Sequence, residues 1–239
     1  MSSATSPLQE QSLAPATGPR ALLPQPAALV AMLTLSVLTL ALTLAVIAHP
    51  DPLGPDARWL QWFIDHRSDT LTSIAKVISA LGDTTTMGIL AVLVCVLLAW
   101  RRQWETAIFL GIAALGAGVL TFAGKQFIGR DRPPVVDHLV TETNHSYPSG
   151  HTLGSTVVVA TLVALALPLV HGLRRVLLVV VAGCFVLAVG FSRLYLGVHW
   201  PTDILGGLLF GALWLTICFT LLRPVAVRGA ALVPKALRG

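Results

Sequence analysis

Six runs of this chain pass 17 or more residues without an Asp, Glu, Lys or Arg: Ala27–Ala48, Thr84–Trp100, Thr106–Gly124, Thr152–Val170, Val176–Ser192 and Ile204–Leu222. Runs of that length and apolarity suit helices that cross a bilayer. Between the first two runs, residues Asp56–Leu81 follow another pattern. Trp59, Trp62 and Phe63, then Leu71, Ile74, Ile78 and Leu81, recur at spacings of three and four with charges between them. This predicts one or two amphipathic helices at the membrane surface, which cover a site, guide a lipid or anchor the protein through tryptophan. The expected fold is therefore all-α: a six-span transmembrane helical bundle with amphipathic interfacial helices between the first and second spans.

Composition agrees with the pattern. At 239 residues, 55% hydrophobic and 11% charged, the chain is too apolar for an ordinary soluble domain. The first run ends in Val46-Ile47-Ala48, as a cleaved leader can, but its apolar part is longer than a leader core and only Arg20 precedes it. An uncleaved span is the better reading. Residues 1–26 are rich in Ser, Ala, Pro and Gln and read as a disordered arm, residues 27–222 as one membrane domain, and residues 223–239 as a basic tail. Cys95, Cys184 and Cys218 fall within predicted spans and suggest small buried apolar groups, neither a disulfide framework nor a metal site.

Charge orients the bundle. Arg20, Arg101-Arg102, Arg174-Arg175 and the tail cations Arg223, Arg228, Lys235 and Arg238 gather on one side, the pattern of cytoplasmic connections. Most acids, among them Asp51, Asp56, Asp65, Asp69, Asp131, Asp137 and Glu142, lie on the other. Both termini are expected inside, in a multi-pass protein of the plasma (inner) membrane. The net charge of +5 follows from this topology, and no interleaved basic and aromatic surface points to nucleic acid.

Counting spans from an inside amino terminus brings distant residues to one face. Lys125 closes the third span, Ser149-Gly150-His151 opens the fourth, Arg193 closes the fifth, and His199 through Asp203 opens the sixth. All fall on the outer side. Ser149, Gly150 and His151 offer backbone N–H groups at a helix amino terminus, where the dipole favours an anion, and Gly150 permits close approach. Pro201 suits a first helical turn, which puts Asp203 in that turn, four residues after His199. Three cations, two imidazoles and one carboxylate match what hydrolysis of a phosphate ester needs without a metal. Fixed cations at Lys125, Arg132 and Arg193 neutralise the phosphoryl oxygens.

The spacing also resembles the type 2 phosphatidic acid phosphatase family, membrane lipid-phosphate phosphatases related to vanadium haloperoxidases. Its three signatures read here as Lys125-Gln-Phe-Ile-Gly-Arg-Asp-Arg132-Pro133, then Pro148-Ser149-Gly150-His151, then Ser192-Arg193-Leu-Tyr-Leu-Gly-Val-His199-Trp-Pro-Thr-Asp203. The resemblance covers about Lys125 to Asp203 and the six-span plan, and it implies specific roles. His199, oriented by Asp203, attacks phosphorus and forms a phosphohistidine. His151 protonates the leaving oxygen and then activates water. Lys125, Arg132, Ser149, Gly150 and Arg193 hold the phosphate, with no cofactor. The implied reaction is metal-independent removal of a terminal phosphate from a lipid phosphate or pyrophosphate at the outer face. Leu194–Gly206 looks most like bacterial members, which favours polyprenyl pyrophosphate or phosphatidylglycerophosphate. Membrane lipids are the expected partners, and the sequence does not address oligomeric state. Alternatives are a lipid-linked phosphotransferase with the same intermediate and a non-catalytic lipid-phosphate transporter.

Taken singly, these residues have plainer explanations. Lys125 and Arg193 can snorkel at helix ends, and Asp203 can stabilise its helix start. His138 and His145 read as solvated loop residues, Asp83 as a helix cap after Gly82, and Arg130 with Asp131 as a local pair. Asp131, Asp137 and Glu142 share no ligand spacing with His151 or His199, so no metal is expected. The orientation has a direct test. With the three native thiols replaced, single cysteines at Val140 and Leu173 should label with an impermeant reagent from opposite sides, residue 140 from outside. Labelling of both from the cytoplasm would reverse the topology.

Overall fold

A computed structural model describes residues 26–49, 52 and 54–222. The expected arm, apart from Pro26, and the basic tail lie outside the described residues. Among the described residues there are eight α-helices: α1 (Pro26–Ala48), α2 (Gly54–Asp65), α3 (Asp69–Leu81), α4 (Thr84–Trp100), α5 (Trp104–Ile128), α6 (Gly150–Ala166), α7 (Gly172–Tyr195) and α8 (Pro201–Leu221). No strand occurs among the described residues. The protein is an all-helical transmembrane bundle.

The six charge-free runs all become helices, but several helices outrun them. α5 continues four residues past Gly124 and carries Lys125 in its last turn, and α7 reaches Tyr195 with Arg193 in its last turn. Lys125 and Arg193 thus sit on helical backbone rather than in flanking loops. The expectation of six spans is met with one adjustment. Among the described residues five helices are long and apolar enough to cross a membrane, and a sixth span arises only if α3 and α4, bent by 43° at Gly82-Asp83, count as one broken span. α4 by itself has 17 residues, about 25 Å of helix, short of the ~30 Å core.

Gly82 is what the bend requires. A Cβ there would lie 2.4 Å from both Val189 methyls, so a side chain would push the bend off α7. Asp83 then caps α4, accepting the Thr85 N–H at 2.8 Å. The amphipathic segment forms two helices, as expected. They are less free than surface helices, because α2 packs on α7 and α8 while α3 packs on α7. The Ser68 N–H donates to the Tyr195 hydroxyl at 2.8 Å, and Arg67 donates to the Tyr195 and Asp137 carbonyls. Asp56, counted above among the outer-side acids, is fully buried on the first turn of α2.

α6 runs through the centre, packed against α4, α5, α7 and α8, while α1 covers α8. Phe109, Ala113, Ala117, Leu153, Val157 and Leu215 form the main core. Close helix approach in lipid depends on small residues, and α8 meets α6 and its entry loop through Gly206, Gly207 and Gly211. A Cβ on Gly207 would lie 2.8 Å from the Ser149 carbonyl and 2.9 Å from the Thr152 Cβ. The cysteines differ from one another: Cys218 is buried, Cys95 half-buried and Cys184 exposed on the outward face of α7, so burial fails for Cys184. Gly207→Leu should destabilise the detergent-solubilised protein by about 1–3 kcal/mol through overpacking. Gly183→Leu, at an exposed glycine with nothing within 4 Å, should leave the thermal midpoint nearly unchanged. Equal midpoints for the two variants would contradict this account of the α6–α8 contact.

Candidate active site

The two ends that carry the third motif are fixed by backbone geometry. α7 stops at Tyr195, and Gly197 turns the chain with φ of +76°, where a Cβ would sit 2.2 Å from the Asp137 carbonyl. Two residues later His199 enters the protein and is 1% exposed. α8 begins at Pro201, and Asp203 in its first turn accepts the Trp200 N–H at 2.9 Å. The same carboxylate oxygen lies 3.1 Å from Nδ1 of His199. The spacing of four thus forms the imidazole–carboxylate pair that the sequence implied.

On the other side of the ring, Nη1 of Arg132 lies 3.3 Å from Nε2 of His199. A guanidinium only donates, so Nε2 is the acceptor and the proton resides on Nδ1, facing Asp203. The lone pair of Nε2 therefore points into the cationic side of the site. Burial first, then the charges of Arg132, Arg193 and Lys125, holds the imidazole well below its usual value of 6.5.

Arg132 follows the α5 cap, Gly129, whose left-handed φ of +65° ends the helix. Its Nε donates to the Asn144 carbonyl at 2.7 Å and its Nη2 to the Asn144 side chain at 2.6 Å. Lys125 reaches the same loop, 3.0 Å from the Asn144 side chain and in contact with the His145 carbonyl. Arg193, 2% exposed, donates to the Ser79 hydroxyl at 2.7 Å on α3. Glu142 bridges the cations, with one carboxylate oxygen on Arg193 and the other 3.3 Å from Nη2 of Arg132.

Ser149 is the N-cap of α6, accepting from the N–H and hydroxyl of Thr152 at 3.5 and 3.2 Å. A hydroxyl that accepts twice still has one proton to give. The Ser149 N–H donates to the Asp203 carbonyl at 3.1 Å, which ties the second motif to the third. Gly150 is as tight as expected, since a Cβ would lie 2.8 Å from the Thr121 methyl. His151 lines a cleft of about 360 Å³ with Ser79, Asp83, Glu142 and Arg193. All eight residues singled out from the sequence, Lys125, Arg132, Ser149, Gly150, His151, Arg193, His199 and Asp203, thus gather at one end of the bundle.

Other participants were missed or misread. Asp83 is the expected cap, yet its second oxygen lies 3.3 Å from Nε2 of His151. Arg130 does not pair with Asp131, whose side chain is exposed. Its guanidinium is buried and lies between Asp203, at 2.6 Å, and Asp56, at 2.8 Å. Tertiary packing overrides the sequence adjacency, and nothing in the local pattern marked Asp56. Glu142 and Asn144 were legible only as loop polarity. His145 exposes its side chain, as expected, and serves through its carbonyl, while His138 is half-buried and bonded to the Pro133 carbonyl at 2.9 Å.

A buried His–Asp pair facing guanidinium groups, at the end of an all-helical membrane bundle, defines a site built to handle an anion. The family model of the PAP2 superfamily matches residues 105–225, and the chain belongs to that superfamily. It is 33% identical over 117 residues to phosphatidylglycerophosphatase B of Bacillus subtilis (strain 168), a match covering 48% of this chain and 56% of the relative. It is 32% identical over 125 residues to undecaprenyl-diphosphatase of Sulfolobus acidocaldarius, covering 50% of this chain and 56% of the relative. Each match thus spans little more than half of the relative's length. Among solved structures, the transmembrane PAP2-type phosphatidylglycerolphosphate phosphatase of Bacillus subtilis superposes with a TM-score of 0.70 at 25% identity, over 78% of this chain and 93% of that one. LpxE of Aquifex aeolicus shares the fold, with a TM-score of 0.56 at 20% identity, over 70% of this chain and 96% of that one.

The His199 environment makes a pH prediction. Unfolded, the imidazole takes a proton near 6.5; folded, only at lower pH. Between those values the unfolded state binds more protons, so stability falls as pH drops below about 6.5 and is fully present above it. The thermal midpoint should decline with acid more steeply in the wild type than in His199→Gln. Parallel declines would remove His199 as the cause.

Proposed function

We propose that this chain is a phosphatase that removes the terminal phosphate from a lipid phosphate or pyrophosphate at the outer membrane face. One observation carries the reading: the unprotonated Nε2 of His199 faces Arg132, and an anionic group, the Glu142 carboxylate, already spans Arg132 and Arg193 beside it. An anion seat next to a buried nucleophile with a fixed tautomer is what phosphoryl transfer requires.

In the first step the Nε2 lone pair forms a bond to phosphorus while the bond from phosphorus to the leaving oxygen breaks. His151 gives that oxygen a proton. Asp203 stabilises the imidazolium character that develops on His199. In the second step His151 takes a proton from water, the water oxygen bonds to phosphorus, the P–N bond breaks, and phosphate departs. Lys125, Arg132 and Arg193 hold the equatorial oxygens throughout, with Ser149 and the Gly150 N–H as neutral donors. The paired state of both imidazoles, His199 with Asp203 and His151 with Asp83, supports catalysis over passive transport, because binding a phosphate needs only the cations.

An apolar groove supports a lipid substrate. About 760 Å³ of space opens between α4 and α5 over α6, within the ~300–1,000 Å³ range of ligand pockets. Its upper end is Thr84 and Thr121, the two side chains against Gly150. Gly88, Gly111, Gly118 and Gly154 line it with nothing within 4 Å of a built Cβ, so they leave space rather than close a helix contact. The names of the two relatives favour phosphatidylglycerophosphate and polyprenyl pyrophosphate as substrates. Among the described residues no three His, Cys, Asp or Glu side chains group as metal ligands, and the reading is metal-independent.

The test is phosphate release by purified protein from vesicles carrying each of these lipids or phosphatidic acid, in excess chelator. Release is expected from at least one. His199→Ala should abolish acid-labile labelling by substrate phosphate and lower turnover at least about 10³-fold. His151→Ala should slow turnover about 10²–10⁴-fold while retaining labelling by the pyrophosphate, whose leaving group departs more readily. Activity only on adding a divalent ion, or unchanged turnover in His199→Ala, would overturn the reading.

A further inference from the structure

A guanidinium two residues from Arg132 would be expected to help hold a phosphate, but Arg130 is placed for other work. It is 5% exposed, and its two terminal nitrogens point to two carboxylates that are each 0% exposed. Nη1 donates to Oδ1 of Asp203 at 2.6 Å and to the Thr202 hydroxyl at 2.7 Å, while Nη2 donates to Oδ2 of Asp56 at 2.8 Å. Asp56 is fixed in turn. Its Oδ1 accepts the Thr202 N–H at 3.0 Å and its Oδ2 accepts the Thr202 hydroxyl at 2.7 Å. Pro201 and Trp200 give α8 no side-chain acceptor for that N–H, so Asp56 caps α8 from another helix.

We propose that Asp56 and Arg130 are positioning residues of the reaction: Arg130 holds the Asp203 carboxylate ionised and aimed at Nδ1 of His199, and Asp56 holds Arg130 in place. The inference rests on the function proposed above. Asp203 divides its oxygens cleanly, Oδ2 for His199 and the Trp200 N–H, Oδ1 for Arg130. An ionised carboxylate with no exposure is stable only when paired, and without Arg130 the proton would be shared toward it. A neutral Asp203 no longer stabilises a cationic His199. Asp56 is needed because one guanidinium facing one carboxylate is free to rotate toward the anion seat, whereas one clamped between two is not. Asp56 also lies outside residues 105–225, so this apparatus extends beyond the segment that defines the family.

The charged and titratable groups facing Asp203 come from every neighbouring element: Asp56 on α2, Lys125 on α5, Arg130 and Arg132 after it, Tyr147 before α6, and His199 before α8. Of these, only Asp56 and Arg130 act on it without a proposed role in holding phosphate or making the phosphohistidine, apart from Tyr147, whose hydroxyl pairs with Thr43 at 3.0 Å.

The experiment uses full-length Asp56→Asn, Arg130→Gln and Arg130→Lys with a lipid phosphate that the wild type hydrolyses, and inorganic vanadate as the phosphate mimic. Removing the acid of a comparable triad costs about 10⁴-fold, so residues acting through that acid should lower kcat about 10- to 100-fold. KM and the vanadate inhibition constant should stay within about threefold, and the acid limb of the kcat profile should move to higher pH in Arg130→Gln. Arg132→Ala, by contrast, should weaken vanadate inhibition. If Arg130→Gln does not fold, Arg130→Lys is read instead; it keeps the charge without the two-pronged fork and should lose kcat at unchanged vanadate affinity. Wild-type kcat and pH profile in both the Asp56 and Arg130 variants would overturn the inference, as would weakened vanadate inhibition matching that of Arg132→Ala. A wild type that releases phosphate from no lipid would sink the proposed function instead, a separate outcome.

Discussion

The arrangement of this protein depends on the pairing of ionised groups at the ends of apolar helices. A buried charge among such helices persists only with a partner of opposite sign and satisfied hydrogen bonds. Here one guanidinium, Arg130, joins carboxylates from α2 and α8, and the second of these carboxylates joins His199. The chain of contacts therefore ties α2, the loop after α5 and the start of α8 into one unit. Were α8 to slide along α6 by a turn, the Arg130–Asp203 pair would break. The glycines on α8 resist that slide by seating it against Ser149, Thr152 and Thr156 at near-contact distance. Packing fixes the helices, and the paired charges fix their ends.

Much of this was legible in the sequence, and what was not has a physical reason. Charge-free runs located every long helix because apolarity along a span is a local property. They underestimated α5 and α7 because Lys125 and Arg193 end the charge-free stretches while the helical backbone continues to Ile128 and Tyr195. Counting spans placed eight site residues together because the parity of crossings depends on few facts. The bend at Gly82 was not legible, since it arises from contact with Val189 more than a hundred residues away. Nor was the Asp56–Arg130 pair, separated by 74 residues. Arg130 beside Asp131 looked like a local pair, and only the direction in which the chain leaves Gly129 sends the guanidinium elsewhere. Sequence patterns reveal which residues lie near the membrane face and say little about which neighbours they choose there.

Glu142 shows what that choice implies for binding. The guanidinium groups of Arg132 and Arg193 are bridged by its carboxylate, and Lys125 donates to the Asn144 side chain and the His145 carbonyl. Bare cations at such proximity would repel one another, and a built-in anion offsets that repulsion. On the proposed function, a phosphate must take over contacts that Glu142 now makes. Binding is then an exchange of one anion for another, and its strength reflects the difference between a phosphate dianion and a largely buried carboxylate. A group with one negative charge gains little in that exchange. A terminal phosphate or pyrophosphate, with more charge and three oxygens to share, gains more. On that function, the same pairing that offsets the repulsion of the cations tilts the site toward highly charged headgroups, independently of any contact to the lipid chain.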